Sequence, residues 1–181
     1  MTTVHMRALT GLAAAVVLTT AGCQYHWGPV AHPQIRSLAV GTFANASRES
    51  TATATLRGRL AEAVSKEPGL TLAEPSAADA ILEGRVLKVS RRQLARAKVR
   101  EEGDSVDESD VYQTVLYRLE VEVEYSVRLP GKTKPFIETR QVIGQTQLGN
   151  WPDQQIVQAN ALRAALGDAA NQIVAAVTES W

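Results

Sequence analysis

One cysteine, Cys23, is all the chain contains, so no intramolecular disulfide is open to it. Histidine is nearly as scarce: the three copies are His5, His26 and His32, and everything after them must manage without imidazole. The body also lacks a cysteine nucleophile and a glycine-rich phosphate loop, so the expectation is a protein that is not an enzyme. A hydrolase with an unrecognised Ser or Asp site would announce itself by a deep pocket gathering Asp or Glu with Ser or Thr. Charge of one sign is missing too. The 19 Lys and Arg balance 19 Asp and Glu, which argues against a nucleic-acid binder, since that class is strongly basic. Aromatics make up only 5% of the residues, leaving Ala, Val, Leu and Ile to fill the core. No internal repeat divides the chain, and its length suits one domain.

What is present begins at the N-terminus. After the single early charge Arg7, an apolar run from about Ala8 to Leu18 leads to Thr20-Ala21-Gly22-Cys23. The run is shorter than the roughly 20 residues a bilayer-spanning helix needs. A charged start, a short apolar stretch and small residues before a cysteine read instead as a bacterial lipoprotein signal, cut before a lipidated Cys23. The expected organisation is a signal peptide over 1–22, a lipidated tether over 23–34 and one α+β domain over 35–181. Loss of 1–22 removes Arg7 and no acid, so the mature chain stays near neutral. Diacylglycerol and N-acyl chains, at about 0.8 kcal/mol per buried methylene, make such an anchor effectively permanent. The residue after the cysteine is Gln24 and not Asp, and resemblance to Gram-negative lipoproteins implies from this sorting to the outer membrane, with the body on its periplasmic face.

Gly28, Pro29 and Pro33 stiffen the tether. Ile35 to Phe43 reads as a first strand, with Leu38 and Val40 on one face. From Ala52 to Lys66, Leu56, Leu60 and Val64 recur four apart, predicting an amphipathic helix ended by Pro68-Gly69. Leu70 to Ala73 fits a short edge strand. From Ala80 to about Gln93, Leu82, Gly84 and Val86 alternate before the apolar side switches to Leu87 and Val89, a parity change that predicts a bulge. Val115 to Leu129 gives the clearest strand, apolar at odd positions from Tyr117 to Leu129 and bearing Arg118, Glu120, Glu122, Glu124 and Arg128 at even ones. The turn Pro130 to Pro135 returns it as a hairpin into Phe136 to Leu148. Asn150 as cap and Pro152 in the first turn announce a last helix reaching about Thr178. These stripes predict a two-layer α+β sandwich, with two helices packed on one face of a mainly antiparallel four-stranded sheet. The other sheet face, with its row of glutamates, stays polar: either solvated or docked inside a polar container.

Two charge clusters stand out. Glu101, Glu102, Asp104, Asp107, Glu108 and Asp110 crowd one loop without the spacing of an EF-hand, so no metal and no cofactor is expected. Arg91, Arg92, Arg96, Lys98 and Arg100 precede it, and Lys132 and Lys134 lie in the hairpin turn. Such groups either keep sheet ends soluble or pair with phosphate, Arg in bidentate fashion.

The opening Cys23-Gln24-Tyr25-His26-Trp27-Gly28, the strand Ile35-Arg36-Ser37-Leu38-Ala39-Val40 ending near Phe43 and Asn45, and the segment Ala78-Asp79-Ala80-Ile81-Leu82-Glu83-Gly84-Arg85-Val86 together resemble the LPS-assembly lipoprotein LptE family. That family begins Cys-Gly-Tyr; here Gln24 replaces the Gly, while Tyr25 and Gly28 match. The resemblance implies an outer-membrane lipoprotein that plugs the β-barrel translocon LptD, assists its assembly and contacts lipopolysaccharide bound for the outer leaflet. It also implies two helices on one side of a four-stranded sheet, and it makes Arg91, Arg92, Lys132 and Lys134 the candidate lipopolysaccharide-binding residues. A different periplasmic scaffold, accessory to a peptidoglycan synthase or a secretion channel, would share Cys23 and a small α+β body.

Overall fold

The computed structural model describes residues 35–98, 112–149 and 153–179. Cys23 and its tether, the acidic segment from Glu101 to Asp110, Arg100, and the helix-announcing Asn150 and Pro152 lie outside the described residues.

Strand β1 (Ser37–Asn45) leads into helix α1 (Ala52–Lys66), followed by β2 (Thr71–Leu72), β3 (Ala80–Lys98), β4 (Tyr112–Arg128), β5 (Ile137–Gly149) and helix α2 (Gln154–Thr178). The strands form one sheet in the order β2-β1-β3-β4-β5. This corrects the expected sheet in two respects: it has five strands, and it is mixed, because β2 and β3 both run parallel to β1. The reason lies in how short β2 is. Leu72 stands level with Leu38, and so does Ala80 at the start of β3. The chain therefore leaves β2 still at the first end of β1 and needs only residues 73–79 to pass to its other side.

That crossover lies on the face opposite the helices, where Ala39, Ala78 and Ile81 form a small second cluster against Ala73. Asp79 pins it. Its Oδ2 accepts the backbone N–H groups of Arg36 and Ser37, each at 2.9 Å, and the Ser37 hydroxyl at 2.8 Å, while Ser37 Oγ accepts the Asp79 N–H. These bonds, first the one from Arg36 N–H and then those from Ser37, hold the Asp79 carboxyl below its usual pKa.

Both helices cover the other face. Leu56, Leu60 and Val64 of α1, which lies over β1 and β2 and against α2, join Leu162, Leu166, Ile173 and Val177 of α2, which covers β4 and β5, and the odd positions of β4 from Leu119 to Val127 in one continuous core. Gly69, at φ +90°, makes the turn after α1 that a side chain would resist. The sheet approaches its neighbours closely at two other glycines. A Cβ on Gly84 would overlap the Glu124 carbonyl oxygen and stand 2.7 Å from the Phe43 ring; one on Gly144 would overlap the Ala165 carbonyl oxygen of α2. The bulge expected in β3 is present, between Val86 and Lys88, and returns Val89 to the core side opposite Val121.

Candidate docking and ligand-binding surfaces

The open sheet face is ordered by charge, strand by strand. β4 contributes Glu120, Glu122 and Glu124; β3 sets Lys88 opposite Glu122 and Arg85 opposite Glu124; β5 sets the uncharged Gln145, Ile143 and Gln141 opposite the same three glutamates. Arg92 reaches Glu120 at 3.6 Å, and Arg128 reaches Glu83 at 2.8 Å. The Glu83 carboxylate raises the pKa of Arg128 further. Solvent screens both pairs, so they order the face more than they stabilise it. Their arrangement leaves a row of amides with one apolar side chain, Ile143, 53% exposed at its middle. The glutamates are half-buried, as the alternation of β4 predicts.

Beyond Val86, β3 loses its β1 partner and becomes an edge, and beyond Leu116 β4 loses β5. The two strands continue as a ribbon that carries Arg96, and Arg91, Arg92 and Arg118 lie at its root, where β4 still pairs with β5; no acid occurs from Val89 to Lys98 or from Tyr112 to Leu119. Arg91 stacks 4.7 Å from the centroid of Tyr117, a cation–π contact. Leu94 and Val115 are exposed on the same ribbon, at 37% and 39%. The product is an amphiphilic end: fixed cations beside apolar side chains.

The four basic residues singled out from the sequence do not gather at one point. Arg91 pairs across the ladder with Leu119, on the helix side, and Arg92 with Arg118, on the open side; successive strand residues face opposite ways. Lys132 and Lys134 sit in the turn past Arg128, about ten strand residues away, which is on the order of 30 Å. What sequence reasoning missed is Arg118, Tyr117, Leu94 and Val115. Tyr117 and Arg118 were assigned to opposite faces of a strand, but only the pairing with β3 reveals which arginines they meet.

Other concavities are shallow in chemistry. A cleft of about 430 Å³ between α1 and α2 is lined by Arg59, Glu62, Lys66, Arg163 and Asp168. Its acids are engaged: Glu62 by Lys66 and Arg59, which lower its pKa, and Asp168 by the Gln145 N–H and the Gln172 amide. No Ser, Thr or His lines it. Among the described residues no group of His, Cys, Asp and Glu is placed to hold a metal, and no helix is long and apolar enough to cross a membrane.

The family model described as LptE, lipopolysaccharide-assembly, matches residues 35–177. No curated protein matches the sequence significantly. Among solved structures the chain is similar in fold to a Xanthomonas campestris protein, at 15% identity and a TM-score of 0.50, covering 84% of this chain and 86% of that one. It also matches the PelC dodecamer of Paraburkholderia phytofirmans, at 13% identity and a TM-score of 0.49 over 86% and 96% of the two chains. A minor lipoprotein of Acinetobacter baumannii matches at 14% identity and a TM-score of 0.47, over 78% and 94%.

Proposed function

The chain belongs to the LptE family of lipopolysaccharide-assembly proteins, and on that premise we propose that it is a non-enzymatic outer-membrane lipoprotein, anchored through Cys23, that plugs an LptD-like β-barrel, assists assembly of that barrel and contributes to lipopolysaccharide insertion in the outer leaflet. The observation that carries this reading is the family match over 35–177, which spans every strand and nearly all of α2. Two surfaces support it. Outer-membrane barrels have polar interiors, and the open sheet face presents paired charges and a row of glutamines to such a wall. The ribbon end offers what an anionic amphiphile needs, with arginines for the phosphates of lipid A and Leu94, Val115 and Tyr117 beside its acyl chains. Arg91 and Arg92 belong to that end, and Lys132 and Lys134 form a second basic contact at the opposite end of β4.

Affinity purification from membranes with the anchor intact tests the reading. Recovery of an LptD-sized barrel in stoichiometric amount is the expected result. Recovery of a peptidoglycan synthase or a secretion channel, with no barrel of that kind, would overturn it in favour of an accessory scaffold.

A further inference from the structure

β5 is an edge strand 13 residues long, and among the described residues it pairs only with β4. Long edges template pairing with other chains, and proteins blunt them with charge, proline or bulges. From Gln141 to Gly149, β5 has none of these: the stretch is uncharged and free of proline, and its register with β4 is unbroken. Segments of that composition favour cross-strand self-association.

Two side chains of α2 stand over the middle of this edge. Asp168 Oδ2 accepts the Gln145 N–H at 2.9 Å, Gln172 Nε2 donates to the Ile143 carbonyl at 3.1 Å, and Gln172 also donates to Asp168 at 3.0 Å. The helix comes this near because Gly144 has no Cβ to meet the Ala165 carbonyl. Both main-chain groups of an antiparallel strand residue point to one side, and alternate residues share that side. Ile143 and Gln145 therefore face outward, and so do Gln141 and Gln147.

A second copy laid antiparallel with its two-fold at Gly144 would join the Gln145 N–H of each chain to the Ile143 carbonyl of the other. Those are the donor and acceptor that Asp168 and Gln172 occupy. Gln141 would meet Gln147, and Arg140 would meet Leu148, so no like charges oppose the pairing. We propose that Asp168 and Gln172 are an edge clasp that keeps β5 from adding the β5 strand of a second copy of this chain. The occupant is a second copy because the uncharged stretch is complementary to itself about the clasped residues. The inference stands independently of the barrel partner.

The test is sedimentation velocity on the full chain in non-ionic detergent, across a dilution series. The wild type is expected to remain a monomer. Asp168→Ala/Gln172→Ala is expected to self-associate at least about tenfold more tightly, since two outward hydrogen-bonding groups become free. Adding Gln141→Pro, which removes an outward N–H and leaves the β4 ladder intact, should restore the monomer. Alanine is the strongest helix former, so circular dichroism should match the wild type. Should the double variant unfold, Gln172→Ala alone frees the Ile143 carbonyl and should self-associate to an intermediate degree. Folded variants that stay monomeric, self-association indifferent to Gln141→Pro, or a wild type already paired through β5 would each overturn the clasp.

Discussion

Asp79 and Gly84 lie five positions apart in the Ala78 to Val86 segment, and each is fixed by a contact that a single atom decides. Gly84 faces the Glu124 carbonyl oxygen and the Phe43 ring so closely that even a methyl group would overlap both. Gly84→Ala must push β3 from β4 or displace Phe43 from the core. It is expected to cost about 3 kcal/mol, the upper part of the range for overpacking, read as a lower urea midpoint at unchanged slope. Asp79 acts through charge. Its folded pKa is depressed below that of an ordinary aspartate, so the folded state gains from the ionised carboxylate above the unfolded value and loses that gain as pH falls through the folded one. Stability should therefore drop below about pH 4, and Asp79→Ala should lower stability at neutral pH while flattening the acid limb of the curve. Urea midpoints measured along that limb check both. Asp79 was legible in the sequence as part of a motif, but its role was not, because its partners Arg36 and Ser37 lie more than 40 residues upstream.

Elements that bury a face were read from their periodicity. The odd positions of β4 face the helices as alternation predicts, and the β3 bulge follows from the switch of its apolar side. Leu70 to Ala73 reads as a short edge strand and β2 is one, but the sheet's mixed character was not legible, because two exposed residues carry no pattern that fixes the strand's direction. The parallel placement of β3 follows from where that short strand stops. The candidate site suffered the same limit at larger scale. A charge run gives the residues but not their facing, so Arg91 and Arg92 separate to opposite sides of the ribbon, with Lys132 and Lys134 remote from both. The prediction for ligand binding changes accordingly. Arg91→Glu/Arg92→Glu should weaken lipopolysaccharide binding about tenfold or more, given roughly 1.5 to 3 kcal/mol for each hydrogen bond to a charged group. Lys132→Glu/Lys134→Glu, at an end without Leu94, Val115 and Tyr117, should weaken it less. Titration of lipopolysaccharide into the folded chain decides this, and equal losses from the two pairs would remove the privilege given to the ribbon.

At the scale of the whole molecule the two faces of the sheet divide the labour. One is closed by α1 and α2 over a core with no exposed Leu at its centre; the other keeps charge ladders, glutamines and the protruding Ile143. A face held open only for solvent has no need of an isoleucine at 53% exposure, yet a lone exposed apolar residue is common enough to prove nothing by itself. What gives Ile143 meaning is its setting, opposite Glu122 in the middle of a polar row that a barrel lumen would match. Buried apolar anchors ringed by polar contacts carry most of the energy of an interface. Ile143→Glu should therefore cut recovery of the barrel severalfold, while Gln147→Glu, further along the same strand face, should cut it less. Neither change touches the core, so unfolding free energies should stay within about 0.5 kcal/mol of the wild type. Normal barrel recovery with Ile143→Glu, at matched stability and membrane abundance, would move the docking surface from the open sheet face to the helical side.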